Sequence, residues 1–217
     1  MMRGLVDYFF PGDHNVHPAQ QVDVGNPHRR LNMYKVVFWG RFGVGKSSIA
    51  ALLETGDFAS YNPYVIRSGF PTATLTLEDG TQVKLELWDT AGQERYHQVL
   101  KLGQLRCTDV FFIVYSPADV ESFQIAKQTL ESATQNTKTN PFCQYLLICS
   151  HRTKQKAQTE HSEQKWEISS KEGSELALAY DAFYLELDVA DVGAFTLLSN
   201  KLREVIHKKR LSEEAAN

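Results

Sequence analysis

The 217-residue sequence predicts a three-layer α/β/α fold around a mostly parallel six-stranded sheet with one antiparallel edge pair. Three observations lead there. Apolar, strand-length runs alternate with helical periodicities from Tyr34 to Ile206. Two of the runs, Asp109 to Tyr115 and Tyr145 to Cys149, are apolar almost throughout, as strands covered on both faces should be. Another two, Ala73 to Leu77 and Gln82 to Trp88, alternate instead, which suits an edge hairpin.

The elements follow in order. Tyr34-Lys-Val-Val-Phe-Trp39 is the first strand, ended by Gly40. After a glycine-rich turn, Ser47 to Leu53 carries an apolar helical stripe that stops near Gly56. Glu78-Asp79-Gly80-Thr81 supplies the turn chemistry that joins the two hairpin strands. Phe123, Lys127 and Leu130 mark a helix between the two buried strands. His151 to Lys165, rich in Lys and Gln, reads as a solvated loop. Ser169-Ser-Lys-Glu172 is a capping box opening a helix through Tyr180. Phe183 to Leu187 is the last strand, and Phe195, Leu198, Leu202, Val205 and Ile206 keep helical spacing in the final helix. Parallel strands joined by helices need right-handed crossovers.

Residues 1–32 mix Pro, Gly, Asn, His and Gln without apolar periodicity and read as a flexible extension. One domain then spans 33–209, and 210–217 form a short tail. With 42% hydrophobic and 23% charged residues, the chain has material for one sizeable core. A net charge of −3 gives no long-range field suited to nucleic acid or an anionic membrane, so neither is expected as a partner. Three scattered cysteines, Cys107, Cys143 and Cys149, form neither a disulfide framework nor a metal motif. Cys149 lies in an apolar run and reads as a buried thiol. A reducing, cytoplasmic location follows. The N-terminus lacks the pattern of a secretory signal, and no apolar run approaches the roughly 18 residues that would span a membrane.

Gly40-Arg-Phe-Gly-Val-Gly45-Lys46-Ser47 fits G-x-x-x-x-G-K-[ST], with a strand before it and a helix after. Glycines let successive main-chain N–H groups turn inward around phosphate oxygens, and the helix N-terminus adds its dipole. Lys46 would place a point charge on the outer phosphates, and the Ser47 hydroxyl would bind magnesium. Gly40, Phe42, Gly43, Val44, Gly45, Lys46, Ser47 and Ser48 therefore make the candidate nucleotide-binding set. Asp89, at the end of Leu87-Trp88-Asp89, has the setting of a carboxylate that holds magnesium opposite Ser47, although an Asp after a strand is also a common turn former.

Trp88-Asp89-Thr-Ala-Gly92-Gln93-Glu-Arg95, joined to the phosphate loop, resembles the Ras superfamily of small GTPases, and Trp88 with Glu94-Arg95-Tyr96 resembles its Rab branch. The likeness covers about 34–207 and includes Phe111 to Tyr115, Glu121-Ser-Phe123 and Glu172-Gly173. The resemblance implies a G-domain that binds GTP or GDP with Mg2+. Gly92 would sense the γ-phosphate through its N–H, and Gln93 would be catalytic, orienting the attacking water. Effectors or regulators would dock on switch I, about 57–70, and switch II, about 90–104.

Three departures weaken that expectation. The family reads guanine with Asn-Lys-x-Asp after its fifth strand, whereas Ser150-His-Arg-Thr153 stands here. Thr153 cannot accept two N–H bonds from the guanine edge. Two charge-assisted bonds of about 1.5–3 kcal/mol each make the loss roughly a hundredfold or more. The family's Ser-Ala-Lys aligns with Asp188-Val-Ala190. Asp188 could substitute as a carboxylate, or His151 and Arg152 could stack on a base; a solvated loop accounts for them equally well. In switch I the expected Thr falls near Ile66 or Arg67, with Ser68 the nearby hydroxyl. Phe42 replaces a small residue and would either crowd an arginine finger approaching Gln93 or pack on Tyr64.

The chain closes Lys208-Lys-Arg-Leu-Ser-Glu-Glu-Ala-Ala-Asn217, without a cysteine after Cys149, so no lipid anchor is expected and membranes would be reached through a partner. The basic cluster His207 to Arg210 could touch an acidic surface or simply favour a helix C-terminus. Two functions remain: an atypical Rab-like GTP-binding switch with slow hydrolysis, or a pseudo-GTPase that serves as an interaction module. A small-molecule kinase is a distant third, since nothing resembles an acceptor site or lid.

Overall fold

A computed structural model describes residues 32–57, 71–89, 108–135, 141–152 and 166–216. The expectations for the N-terminal extension, for most of switch I, for switch II beyond Asp89 and for Cys107 lie outside them.

The sheet has the order β2-β3-β1-β4-β5-β6. Its strands are β1 (Met33–Trp39), β2 (Thr72–Thr76), β3 (Gln82–Asp89), β4 (Val110–Tyr115), β5 (Gln144–His151) and β6 (Phe183–Asp188). Only β2 runs antiparallel, to β3; the other pairs are parallel. The expected hairpin is present: Asp79 Oδ1 accepts the Thr81 N–H at 2.8 Å, and Gly80 takes φ 80°. The helices are α1 (Lys46–Thr55), α2 (Val120–Gln135), α3 (Ser170–Ala179) and α4 (Ala194–Glu214).

Side chains alternate across each strand, so the sheet divides one core into two layers. Val36, Phe38, Val110, Phe112, Leu146 and Ile148 meet Ile49 and Leu52 of α1 and Leu198 and Leu202 of α4. Val37, Phe111, Ile113, Tyr115, Leu147 and Cys149 meet Ala126 and Leu130 of α2 and Leu176 of α3. The capping box at α3 closes in both directions: Ser169 Oγ accepts the Glu172 N–H, and Glu172 Oε2 accepts the Ser169 N–H at 2.8 Å. Cys149 is buried as expected, and burial pushes its thiol up to about 11.

Three boundaries differ from expectation. Asn32 belongs with the sheet, because its carbonyl accepts the Lys84 N–H at 2.7 Å. Strand β5 continues past Cys149 through Ser150 and His151, the latter paired in register with Asp188. Helix α4 runs through the expected tail boundary to Glu214. Two of its basic residues turn inward, while His207 stays exposed. Lys209, 3% exposed, meets Glu213 at 2.8 Å and Asp109 at 3.1 Å, and Arg210 Nε donates to Tyr34 Oη at 3.0 Å. For Lys209 and Arg210 that use differs from both sequence readings of the cluster.

Candidate functional site

Between β1 and α1 the chain must turn sharply while staying against the sheet. Gly40 has φ 148°, and a Cβ there would lie 2.1 Å from the Val114 carbonyl oxygen. Gly45 has φ 98°, and a Cβ there would lie 2.7 Å from Ser150 Oγ. Both glycines answer to a positive φ and a close approach together, so a larger residue fails twice. Val44 is buried in the core, whereas Phe42 and Gly43 are exposed.

Gly45 is also the N-cap of α1. It has no side chain to bond the first-turn N–H groups, and the first turn carries no acidic residue. An uncapped helix N-terminus keeps its donors and its positive dipole end for an anion. Lys46 is 3% exposed, and its Nζ donates to the carbonyls of Gly40 at 2.8 Å and Arg41 at 2.9 Å. An ammonium that deep requires acceptors, and the loop supplies them from its own backbone. Ser47 and Ser48 follow on α1, both half-buried.

The loop is fastened from outside by Arg41. Its Nη1 donates to Asp119 Oδ2 at 2.8 Å, and its Nη2 lies 2.8 Å from Glu121 Oε2. Asp119 stands just before α2 and its Oδ1 accepts the Ser122 N–H at 3.1 Å. Burial alone would raise the Asp119 carboxyl, but that N–H and the Arg41 guanidinium hold it below its ordinary value.

Asp89 ends β3 opposite Phe38 of β1. Leu85 and Leu87 face α1, so strand alternation gives Asp89 the same side. A hydroxyl from Ser47 and a carboxylate from Asp89 are hard oxygen donors of the kind magnesium takes, and this donor set fits that ion. Gly92 and Gln93 lie outside the described residues.

The segment 151–165, read as solvated loop, begins instead within β5, at His151. Ser150, on the α1 side of β5, touches Gly45, and His151 falls on the other face. His151 Nε2 is 3.9 Å from Glu186 Oε1 and its Nδ1 is 4.0 Å from Asp188 Oδ2. The Trp166 ring covers it, 4.9 Å away and tilted by 54°. Asp188 Oδ1 accepts the Ala190 N–H at 3.0 Å. Glu186 also accepts a hydrogen bond from Ser170 Oγ. Asp188 thus has one oxygen bonded within the fold, and the His151 ring lies between two carboxylates. Thr153 lies outside the described residues.

A family model for the Ras family matches residues 35–202. The chain belongs to the Ras family. The match runs from β1 into α4 and so takes in the phosphate loop, Asp89 and the ends of β5 and β6. At the level of the family this is a phosphate-loop, small GTP-binding regulatory protein. Within the Ras-family frame, sequence reasoning passed over Arg41, Trp166 and Glu186. An isolated tryptophan in a polar stretch was the one available signal for Trp166. Nothing in the spacing of Arg41, Asp119 and Glu121 announces their contact, because it is made between distant segments.

Proposed function

We propose that the protein is an atypical, Rab-like nucleotide-binding switch that grips the phosphates of GTP or GDP and reads guanine poorly. One observation carries the reading: an intact phosphate cradle with a buried Lys46 stands beside a strand end where Glu186 and Asp188 face His151. Main-chain N–H groups of 43–48 and the α1 dipole would bind the phosphates, with Lys46 on the outer ones. Ser47 and Asp89 would hold Mg2+, which when bound supplies charge neutralisation between phosphate oxygens. Gly92 and Gln93 take the γ-phosphate and water-orienting roles implied by their sequence. With Phe42 78% exposed in the loop and the switch I threonine replaced, hydrolysis is slow and partner assistance weak. Effectors or regulators dock through switch I and switch II, in a trafficking role in the cytoplasm. No described helix is long and apolar enough to cross a membrane.

The second reading, a pseudo-GTPase interaction module, is favoured by that same pairing of Glu186 and Asp188 with His151. Gentle purification followed by denaturation and identification of released nucleotide separates the two. Guanine nucleotide near one per chain supports the switch; an empty protein whose melting temperature ignores Mg2+ with GTP or ATP supports the module. Thr153→Asp should raise the preference for guanine. An unchanged preference would show that this position does not face the base edge.

A further inference from the structure

Resting on the nucleotide-binding reading, we infer that the base side takes a nucleobase by its face: Trp166, backed by His151, stacks on the base of a bound nucleotide. Proximity comes first. Ser150 touches Gly45 of the phosphate loop, and His151 is the next residue along β5. A nucleoside leaving the cradle toward the carboxyl ends of β5 and β6, where open α/β sheets bind ligands, meets this cluster.

Rigidity comes second. His151 is pinned as a strand residue: its carbonyl accepts the Val189 N–H at 3.1 Å, and Glu186 and Asp188 flank its two ring nitrogens. Trp166 stands on an equally fixed stem, because the N–H groups of Glu167 and Ile168 both donate to the Pro117 carbonyl at 2.8 and 3.0 Å. One side of the indole rests on the imidazole, and the residue stays 42% exposed. A large ring held in place yet left open is a ready platform.

Edge reading, by contrast, finds no ready carboxylate among the described residues of this cluster. Asp188 gives one oxygen to the Ala190 N–H and turns the other to His151. Glu186 is bonded to Ser170 and faces the other ring nitrogen of His151. Stacking needs no edge contact and tolerates every base, since each has a π face. It contributes about tenfold to a hundredfold in affinity per base.

Calorimetric titration of the full chain with GTP, ATP and inorganic tripolyphosphate, each with Mg2+, tests this. GTP and ATP should bind within about threefold of each other and roughly tenfold to a hundredfold tighter than tripolyphosphate, quenching tryptophan fluorescence. Trp166→Ala should bring both nucleotides down to the tripolyphosphate level while leaving tripolyphosphate binding unchanged, which also shows that the variant is folded. Trp166→Phe should retain most of the difference. Nucleotides no tighter than tripolyphosphate in the parent protein, or a nucleotide advantage that survives Trp166→Ala, would overturn the stacking site alone. Failure of all three compounds to bind would overturn the nucleotide reading and the stacking site with it.

Discussion

Arg41 Nη1 and Asp119 Oδ2 stand 2.8 Å apart across 78 residues of sequence, with Glu121 completing a fork on the same guanidinium. The fork ties the outer rim of the phosphate loop to the start of α2. Arg41 is also the residue whose carbonyl accepts from Lys46 Nζ. Side chain and main chain of one residue therefore anchor the loop and hold its lysine.

Arg41→Gln should speed nucleotide release only modestly, since an exposed ion pair is largely screened by water and salt. Arg41→Lys, which cannot hold two carboxylates in a planar fork, should fall between. The Asp119 carboxyl is depressed, so the tie is complete above the ordinary carboxylate range and is lost as pH falls through the lowered value. The gap between parent and Arg41→Gln should close in acid and in high salt. A stopped-flow release assay giving identical rates for both at low salt would remove the anchoring role.

Lys46→Ala should abolish the nucleotide-induced rise in melting temperature, because it deletes the positive charge buried in the loop. The unliganded protein should lose some stability as well, because the Gly40 and Arg41 carbonyls lose a donor. Differential scanning fluorimetry with and without Mg2+ and GTP measures both. An undiminished shift would place the phosphates elsewhere.

Such residues also show what a sequence can and cannot disclose. The phosphate loop was legible because its chemistry is local: strand, glycines, Lys46 and Ser47 lie within a dozen positions. Ser169 and Glu172 were legible for the same reason, and the capping box forms as their spacing implies. The end of β5 was hidden, because Ser150 and His151 are polar and their strand pairing depends on β6. Helix α4 hid its last turn likewise. Lys209 and Glu213 carry an i,i+4 signal, yet the partner that buries Lys209, Asp109, is a hundred positions away.

That lysine supports a pH prediction. Burial opposes its charge, but Glu213 and Asp109 together hold Lys209 above its ordinary value of 10.5. A raised lysine contributes stability that is fully present below its unfolded value and lost as pH rises through its folded one. Lys209→Met should cost about 1–3 kcal/mol at neutral pH, less than a fully buried broken pair, because Asp109 keeps the Lys35 N–H at 2.7 Å. The difference from the parent should shrink above about pH 10.5. Urea midpoints from pH 7 to 11 report it; a difference constant across that range would show that the Lys209 charge contributes nothing to stability.

Gly173 sets two opposing effects against each other inside α3. Helix propensity favours alanine over glycine by about 1 kcal/mol. Against that, a Cβ at Gly173 would sit 2.2 Å from Tyr115 Oη and 2.7 Å from Tyr184 Cε2. Tyr115 is fully buried, and its hydroxyl lies 3.4 Å from that of Tyr184, so neither ring can swing away without opening the layer under α2 and α3. Overpacking of this kind costs about 1–3 kcal/mol and outweighs the propensity gain. Gly173→Ala should therefore destabilise by up to about 2 kcal/mol net of that gain. Adding Tyr115→Phe removes the nearest atom and should recover part of the loss, leaving the Tyr184 contact. Thermal unfolding of the two single variants and the double variant measures the coupling. A Gly173→Ala protein more stable than its parent would mean that the tyrosine pair yields freely and that the close packing of α3 on the sheet is not what selects glycine.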